Sequence, residues 1–115
     1  MLEVRPEERV RQQWIELLLS SGWSRNRIST ELPVEDPAAK GTLRADLLCY
    51  DAQLEPQLLI ECKAPEVTLR QLTGEQAARY NQHIGAPFIL LTNGREDRWY
   101  QMNDSGQQGG IQEIE

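Results

Sequence analysis

The residues with the most evident chemistry are Asp46 and, fifteen positions later, the run Glu61-Cys62-Lys63. Side chains alternate along an extended strand, so Glu61 and Lys63 share one face and Cys62 takes the other. If the segments carrying Asp46 and Glu61 pair as a hairpin, two carboxylates and an ammonium meet in one small region. Carboxylates held that close repel unless a cation joins them. A divalent cation that prefers oxygen, Mg²⁺ or Mn²⁺, would take Asp46, Glu61 and the backbone carbonyl of Cys62, with water and substrate completing its shell. Such an ion polarises a phosphoryl oxygen and lowers the pKa of bound water. Lys63 then orients the attacking hydroxide or stabilises the charge growing at phosphorus. The competing explanation from spacing alone is ordinary surface charge on half-exposed strands. Little else could serve, because the chain has one histidine, His83, and two cysteines, Cys49 and Cys62. These supply neither a zinc site, a disulfide framework nor a Ser-His-Asp triad. Both cysteines are expected to be reduced core residues.

These groups must be positioned by secondary structure, and the periodicity predicts which. Pro6 suits a first helical turn, Glu7 and Glu8 favour its positive end, and Val10, Trp14, Leu17 and Leu18 recur at helical spacing up to Gly22, giving a helix over Pro6 to Ser21. Alternation over Arg27 to Leu32 predicts a short strand, followed by a polar loop through Pro33, Pro37 and Gly41. Leu43 to Tyr50 and Gln57 to Ala64 are expected to form an antiparallel hairpin around the turn Asp51 to Pro56. A second helix is predicted between Thr68 and His83, with Leu69, Leu72, Gln76, Tyr80 and Ile84 on one face. Strands follow at Pro87 to Thr92 and Arg98 to Met102, separated by the turn signal Asn93-Gly94. The order helix, three strands, helix, two strands predicts an α/β domain with a central mixed sheet and a right-handed helical crossover. Trp14 and Trp23 read as core around the first helix and Trp99 as packing on the last strand. Residues 1–103 are expected to form one domain, and residues 104–115 either a flexible tail or an added edge strand.

At 115 residues the chain has room for one core and no motor, and twelve basic against eighteen acidic residues leave a net charge of −6. Bulk charge therefore cannot hold nucleic acid, and any DNA contact must be local. No apolar run approaches membrane-spanning length and the N-terminus has no secretory pattern, so a soluble, cytoplasmic protein without a membrane partner is expected.

Around the acidic pair the motifs Pro6-Glu7-Glu8-Arg9-Val10-Arg11-Gln12, Arg44-Ala45-Asp46, Ile60-Glu61-Cys62-Lys63-Ala64-Pro65, Gln76-Ala77-Ala78-Arg79-Tyr80-Asn81 and Leu91-Thr92-Asn93-Gly94 occur in order. Together they resemble the PD-(D/E)XK nuclease superfamily, with Ala45-Asp46 in place of Pro-Asp, and within it the N-terminal nuclease domain of type I restriction enzyme R subunits. The resemblance spans Pro6 to Tyr100. It implies a restriction-endonuclease-like core and Mg²⁺-dependent cleavage of DNA phosphodiester bonds (Mn²⁺ as a substitute), with Asp46 and Glu61 as ligands and Lys63 as the catalytic lysine. It also implies a glutamate from the first helix. On a helical wheel Glu7 lies on the face of Val10 and Trp14, whereas Glu8 points nearer Ile15 and Leu19, so Glu7 is the first choice and Glu8 the second. Gln76 and Tyr80 match a Q-X-X-X-Y element, which places them in site support and phosphate or water contact. A tyrosine ring buried at the core edge is the structural alternative.

Arg44, two residues before Asp46, is a candidate DNA contact or a partner of that carboxylate, and Lys40 and Arg70 are candidates for a DNA-binding rim. His83 is expected to serve only the helix dipole or solvent. The chain has no G-X-X-X-X-G-K-[ST] loop, so ATP dependence does not carry over. Its opening Met1 favours a stand-alone nuclease over an excised domain. The expected partners are DNA, restriction–modification subunits and, for added affinity, a second copy of the chain. The alternatives are a non-catalytic module of nuclease fold that binds DNA or a partner subunit, and a hydrolase of another phosphate ester.

Overall fold

The computed structural model describes residues 5–34, 43–102 and 111–114, without the side chains of 33, 34, 43, 44, 71–74, 80, 111 and 112. Its elements run α1 (Pro6–Ser20), β1 (Ile28–Val34), β2 (Leu43–Tyr50), β3 (Pro56–Cys62), α2 (Gln71–Asn81), β4 (Phe88–Thr92), β5 (Asp97–Met102) and β6 (Ile111–Ile114), with a short 3-10 turn at Arg25–Arg27. The strands form one sheet in the order β1-β2-β3-β4-β5-β6. Only β3 and β4 pair in parallel, and α2 makes the crossover between them; the other neighbours are antiparallel. The expected mixed sheet is therefore present. Ile111–Ile114 adds an edge strand, with Ile114 opposite Trp99.

Helix α1 begins at Pro6 with two glutamates in its first turn. It ends where Gly22 takes φ 103. There the N–H of Trp23 donates to the Leu18 carbonyl at 3.0 Å and that of Gly22 to the Leu19 carbonyl at 3.2 Å. This is a Schellman closure, and its apolar clasp of Trp23 on Leu18 lies in the core. The β2–β3 turn is fixed by Asp51, whose Oδ1 accepts from the N–H groups of Gln53 and Glu55 at 2.9 and 3.0 Å. Next to the turn Tyr50 stands opposite Pro56, and after a register shift between Cys49 and Tyr50 the ladder runs with Leu47 opposite Ile60.

The sheet is covered on both faces. Val10 and Leu18 of α1 pack on Leu47, Cys49, Leu58, Ile60, Cys62 and Leu90. On the other face Ala77 and Ala78 of α2 pack with Leu48, Leu59, Ile89, Leu91 and Tyr100. Both cysteines are free and buried, and burial raises the Cys49 thiol pKa to about 11. Trp14 meets Trp99 edge-on at 6.1 Å and donates to Thr92 at 3.2 Å, while Trp23 packs on the α1-side core. Among the described residues no helix is long and apolar enough to cross a membrane.

Helix α2 corrects the sequence expectation. It starts three residues later than Thr68; of the predicted face, Leu69 and Ile84 pack in the core and Gln76 is exposed, and among its described side chains the buried ones are Ala77, Ala78 and Asn81. The shift places Asn81, only 1% exposed, under the turn into β4. Its Nδ2 donates to the Ala86 carbonyl at 2.9 Å and its Oδ1 accepts from the Ala86 N–H at 3.2 Å. Asn81→Leu would strip two buried backbone groups of their partners, at about 1–3 kcal/mol each. A melting temperature lowered by roughly 10 °C or more is expected by circular dichroism. An unshifted melt would remove Asn81 from this role.

Candidate active site

The β2–β3 ladder runs as far as Leu47 opposite Ile60. Beyond it the Asp46 side chain supplies the acceptor, with Oδ2 taking the Cys62 N–H at 2.8 Å. In the same register Asp46 stands opposite Glu61, which is 6% exposed. Leu59 faces the α2 core while Leu58, Ile60 and Cys62 face the α1 core, so alternation puts Glu61 on the α2 side and Cys62 on the other. Pairing continues one residue past β3, because the Lys63 N–H donates to the Thr92 carbonyl at 2.8 Å. Asp46, Glu61 and half-buried Lys63 thus gather at the carboxyl ends of the parallel pair β3 and β4, where open α/β sheets bind ligands.

Burial pushes the Asp46 carboxyl above its usual pKa, against the opposing pull of the Cys62 N–H, Lys63, Arg11 and a hydrogen bond with Glu61. A carboxyl raised in the folded state contributes stability that is fully present below its unfolded pKa. That contribution is lost as pH rises through the folded value. Relative to Asp46→Asn, which does not titrate, metal-free wild type is therefore expected to lose melting temperature as pH climbs from below the ordinary aspartate range. A constant difference between the two melts across that window would contradict the shift.

A second group of charges, on the α1 side, was not legible in the sequence. Arg11 donates to Glu8 on its own helix and to Glu31 on β1 at 2.9 Å. Burial works against its charge, but the bonds to Glu8 and Glu31 outweigh that and raise its pKa. Cys62 senses the whole group: burial raises its thiol pKa, followed by the charges of Asp46 and Glu61, with Arg11 opposing and Glu8 adding. Of the two helix glutamates, Glu8 is thus the one tied electrically to the site, while Glu7 is a half-buried residue of the first turn.

Gln76 is exposed on α2, and Tyr80 shares its helix, with a side chain outside the described atoms. Arg44 lies on β2 opposite Pro33, its side chain likewise outside them, and Lys40 lies outside the described residues. Arg70 and His83 are exposed. Asn93 is a positioning residue that the turn signal only hinted at. Its Nδ2 donates to the Val67 carbonyl at 2.8 Å, and its Oδ1 accepts from the N–H groups of Arg95 and Glu96 at 2.9 and 2.7 Å, joining the β4–β5 turn to the loop behind Lys63.

Among the described residues no three His, Cys, Asp or Glu side chains converge as a metal-binding set. Two carboxylates and a carbonyl are nevertheless the kind of donor set that suits Mg²⁺, which keeps several waters and takes one or two carboxylates alongside phosphate oxygens. Around Arg11 and Lys63 stand the four carboxylates of Glu8, Glu31, Asp46 and Glu61.

The fold and this acidic edge define a mixed α/β domain with a six-stranded sheet and a polar site at its parallel strand ends. Residues 6–115 match the family described as type I restriction enzyme R protein N terminus, and the chain belongs to that family. Its fold is similar, at a TM-score of 0.63 and 24% identity, to a fragment structure described as the HsdR subunit of a type I restriction enzyme from Vibrio vulnificus YJ016. The alignment covers 99% of this chain and 23% of that one, so the chain spans about a quarter of its relative's length. No curated protein matches the sequence.

Proposed function

We propose that this chain is the nuclease domain of a restriction–modification system and hydrolyses DNA phosphodiester bonds with Mg²⁺ or, in its place, Mn²⁺. The observation that carries the reading is the juxtaposition of Asp46 with Glu61, one residue from Lys63's neighbour Cys62, in a member of this family. Asp46, Glu61 and the Cys62 carbonyl would hold the cation, with Glu7 as the helix contribution, because Glu8 is engaged by Arg11. When bound, the ion polarises the phosphoryl oxygen and makes water more acidic. Lys63 would set an ammonium beside the reacting phosphate, and the role proposed for Gln76 and Tyr80 of α2 is site support and phosphate or water contact. With a net charge of −6 the domain needs help to hold DNA, and other restriction–modification subunits or a second copy would supply it.

The second reading is a non-catalytic module of the same fold that binds DNA or a partner subunit. It is favoured by the lack of a three-side-chain metal set among the described residues. Nicking of supercoiled plasmid with Mg²⁺ or Mn²⁺, alongside Mn²⁺ calorimetry, decides between them. Metal-dependent nicking supports the enzyme. A folded chain that captures DNA or a subunit but binds neither ion supports the module.

A further inference from the structure

Strand β1 carries a local strain beside Asp46. Glu31 has φ 51, a left-handed conformation that costs a non-glycine residue roughly 1–2 kcal/mol. Thr30 stands opposite Leu47 and Leu32 opposite Ala45, so Glu31 stands opposite Asp46. The faces also switch at this level. Ile28 and Leu32 are four apart and would share a face of a regular strand, yet Ile28 packs with the α1 core and Leu32 with the α2 core. On β2, Leu47 and Cys49 pack with the α1 core while Ala45 packs with the α2 core. Both strands change side across the Glu31–Asp46 level.

Arg11 grips this kink. Its side chain is only 13% exposed and it bridges Glu8 of α1 and Glu31 of β1. Strain of this kind persists only where surrounding contacts hold it. We propose that Arg11 is a positioning residue for Asp46: by joining Glu8 to Glu31 it locks α1 onto the β1 kink and fixes the strand pair from which Asp46 reaches Cys62. In this arrangement Glu8 is Arg11's holder and not a metal ligand. The inference rests on the metal-site reading above and adds a residue that acts through Asp46.

The sign of the effect separates positioning from a field effect. Removing a cation near a metal site strengthens cation binding electrostatically, and removing an anion weakens it. Mn²⁺ calorimetry and metal-free melting on the full chain compare wild type with Arg11→Met, Arg11→Lys, Glu31→Gln and the Arg11→Met/Glu31→Gln double variant. Lysine keeps the charge without the planar fork that spans two carboxylates. If Arg11 positions Asp46, all three single variants weaken Mn²⁺ binding about 10- to 100-fold. The double variant is then no worse than the weaker single, as members of one unit behave. Tighter binding by Arg11→Met with wild-type binding by Arg11→Lys overturns the inference in favour of a field effect. Lower melting temperatures with wild-type Mn²⁺ affinity overturn it in favour of a purely structural brace and leave the metal site standing. Wild type that binds no Mn²⁺ overturns the metal reading first and this inference with it. Should Arg11→Met fail to fold, Arg11→Lys still decides, because it keeps the charge and loses only the fork.

Discussion

Asp46→Asn is expected to abolish metal-dependent nicking while leaving a metal-free protein that melts no lower than wild type at neutral pH. Asparagine keeps an oxygen that can accept from the Cys62 N–H, the bond that closes the β2–β3 ladder. It removes the negative charge that burial disfavours and that stands opposite Glu61. The loss in function should be large, because a divalent cation would lose one of two carboxylates and the displaced phosphate its anchor. A fall of at least about 10²- to 10³-fold in nicking rate is expected, the scale on which removing one preorganised electrostatic group acts. Calorimetry should show weakened Mn²⁺ binding. Nicking at the wild-type rate by a folded Asp46→Asn protein would place the chemistry elsewhere in the molecule.

The neighbourhood of the charged pair was legible because a turn at Asp51 and the residues after it joins two alternating strands, which brings Asp46 to the region of Glu61. The exact pairing was not, since a register shift between Cys49 and Tyr50 moves the ladder by one residue. Helix α1 was open to reading, since Pro6, the apolar spacing and Gly22 are all strong local signals. The burial face of α2 was legible only in part. Leu69 and Ile84, at its two ends, pack in the core as the pattern predicts, but Gln76 is exposed. Among the described side chains the helix itself buries Ala77 and Ala78, which add little to an apolar pattern, and Asn81, whose burial is made favourable by hydrogen bonds to Ala86. Nor was the kink at Glu31 visible, because neither glycine nor asparagine marks the left-handed residue and alternation reads straight through it. Arg11 in turn looks like any solvated helix charge until β1 brings Glu31 to it. What the sequence leaves out is tertiary: pairings whose partners lie on different elements and whose residue types have commoner uses.

Lys63→Met tests the step that the Asp46 variant cannot isolate. The Lys63 backbone is anchored to β4 through the Thr92 carbonyl at 2.8 Å, a bond indifferent to the side chain. Methionine is unbranched and apolar along its stem, so the half-buried position should keep its packing. The ammonium is not among the oxygen donors, and its removal takes a positive charge away from Asp46 and Glu61, so Mn²⁺ affinity should hold or rise. Turnover should nevertheless fall by about 10²- to 10³-fold, because the charge that would meet the developing negative charge at phosphorus is gone. The two variants therefore divide the work: Asp46→Asn loses the ion and the rate, whereas Lys63→Met keeps the ion and loses the rate. Wild-type nicking by Lys63→Met would reduce Lys63 to a surface cation. A collapse of its Mn²⁺ binding would make the lysine part of the site's framework, with no direct part in the chemistry.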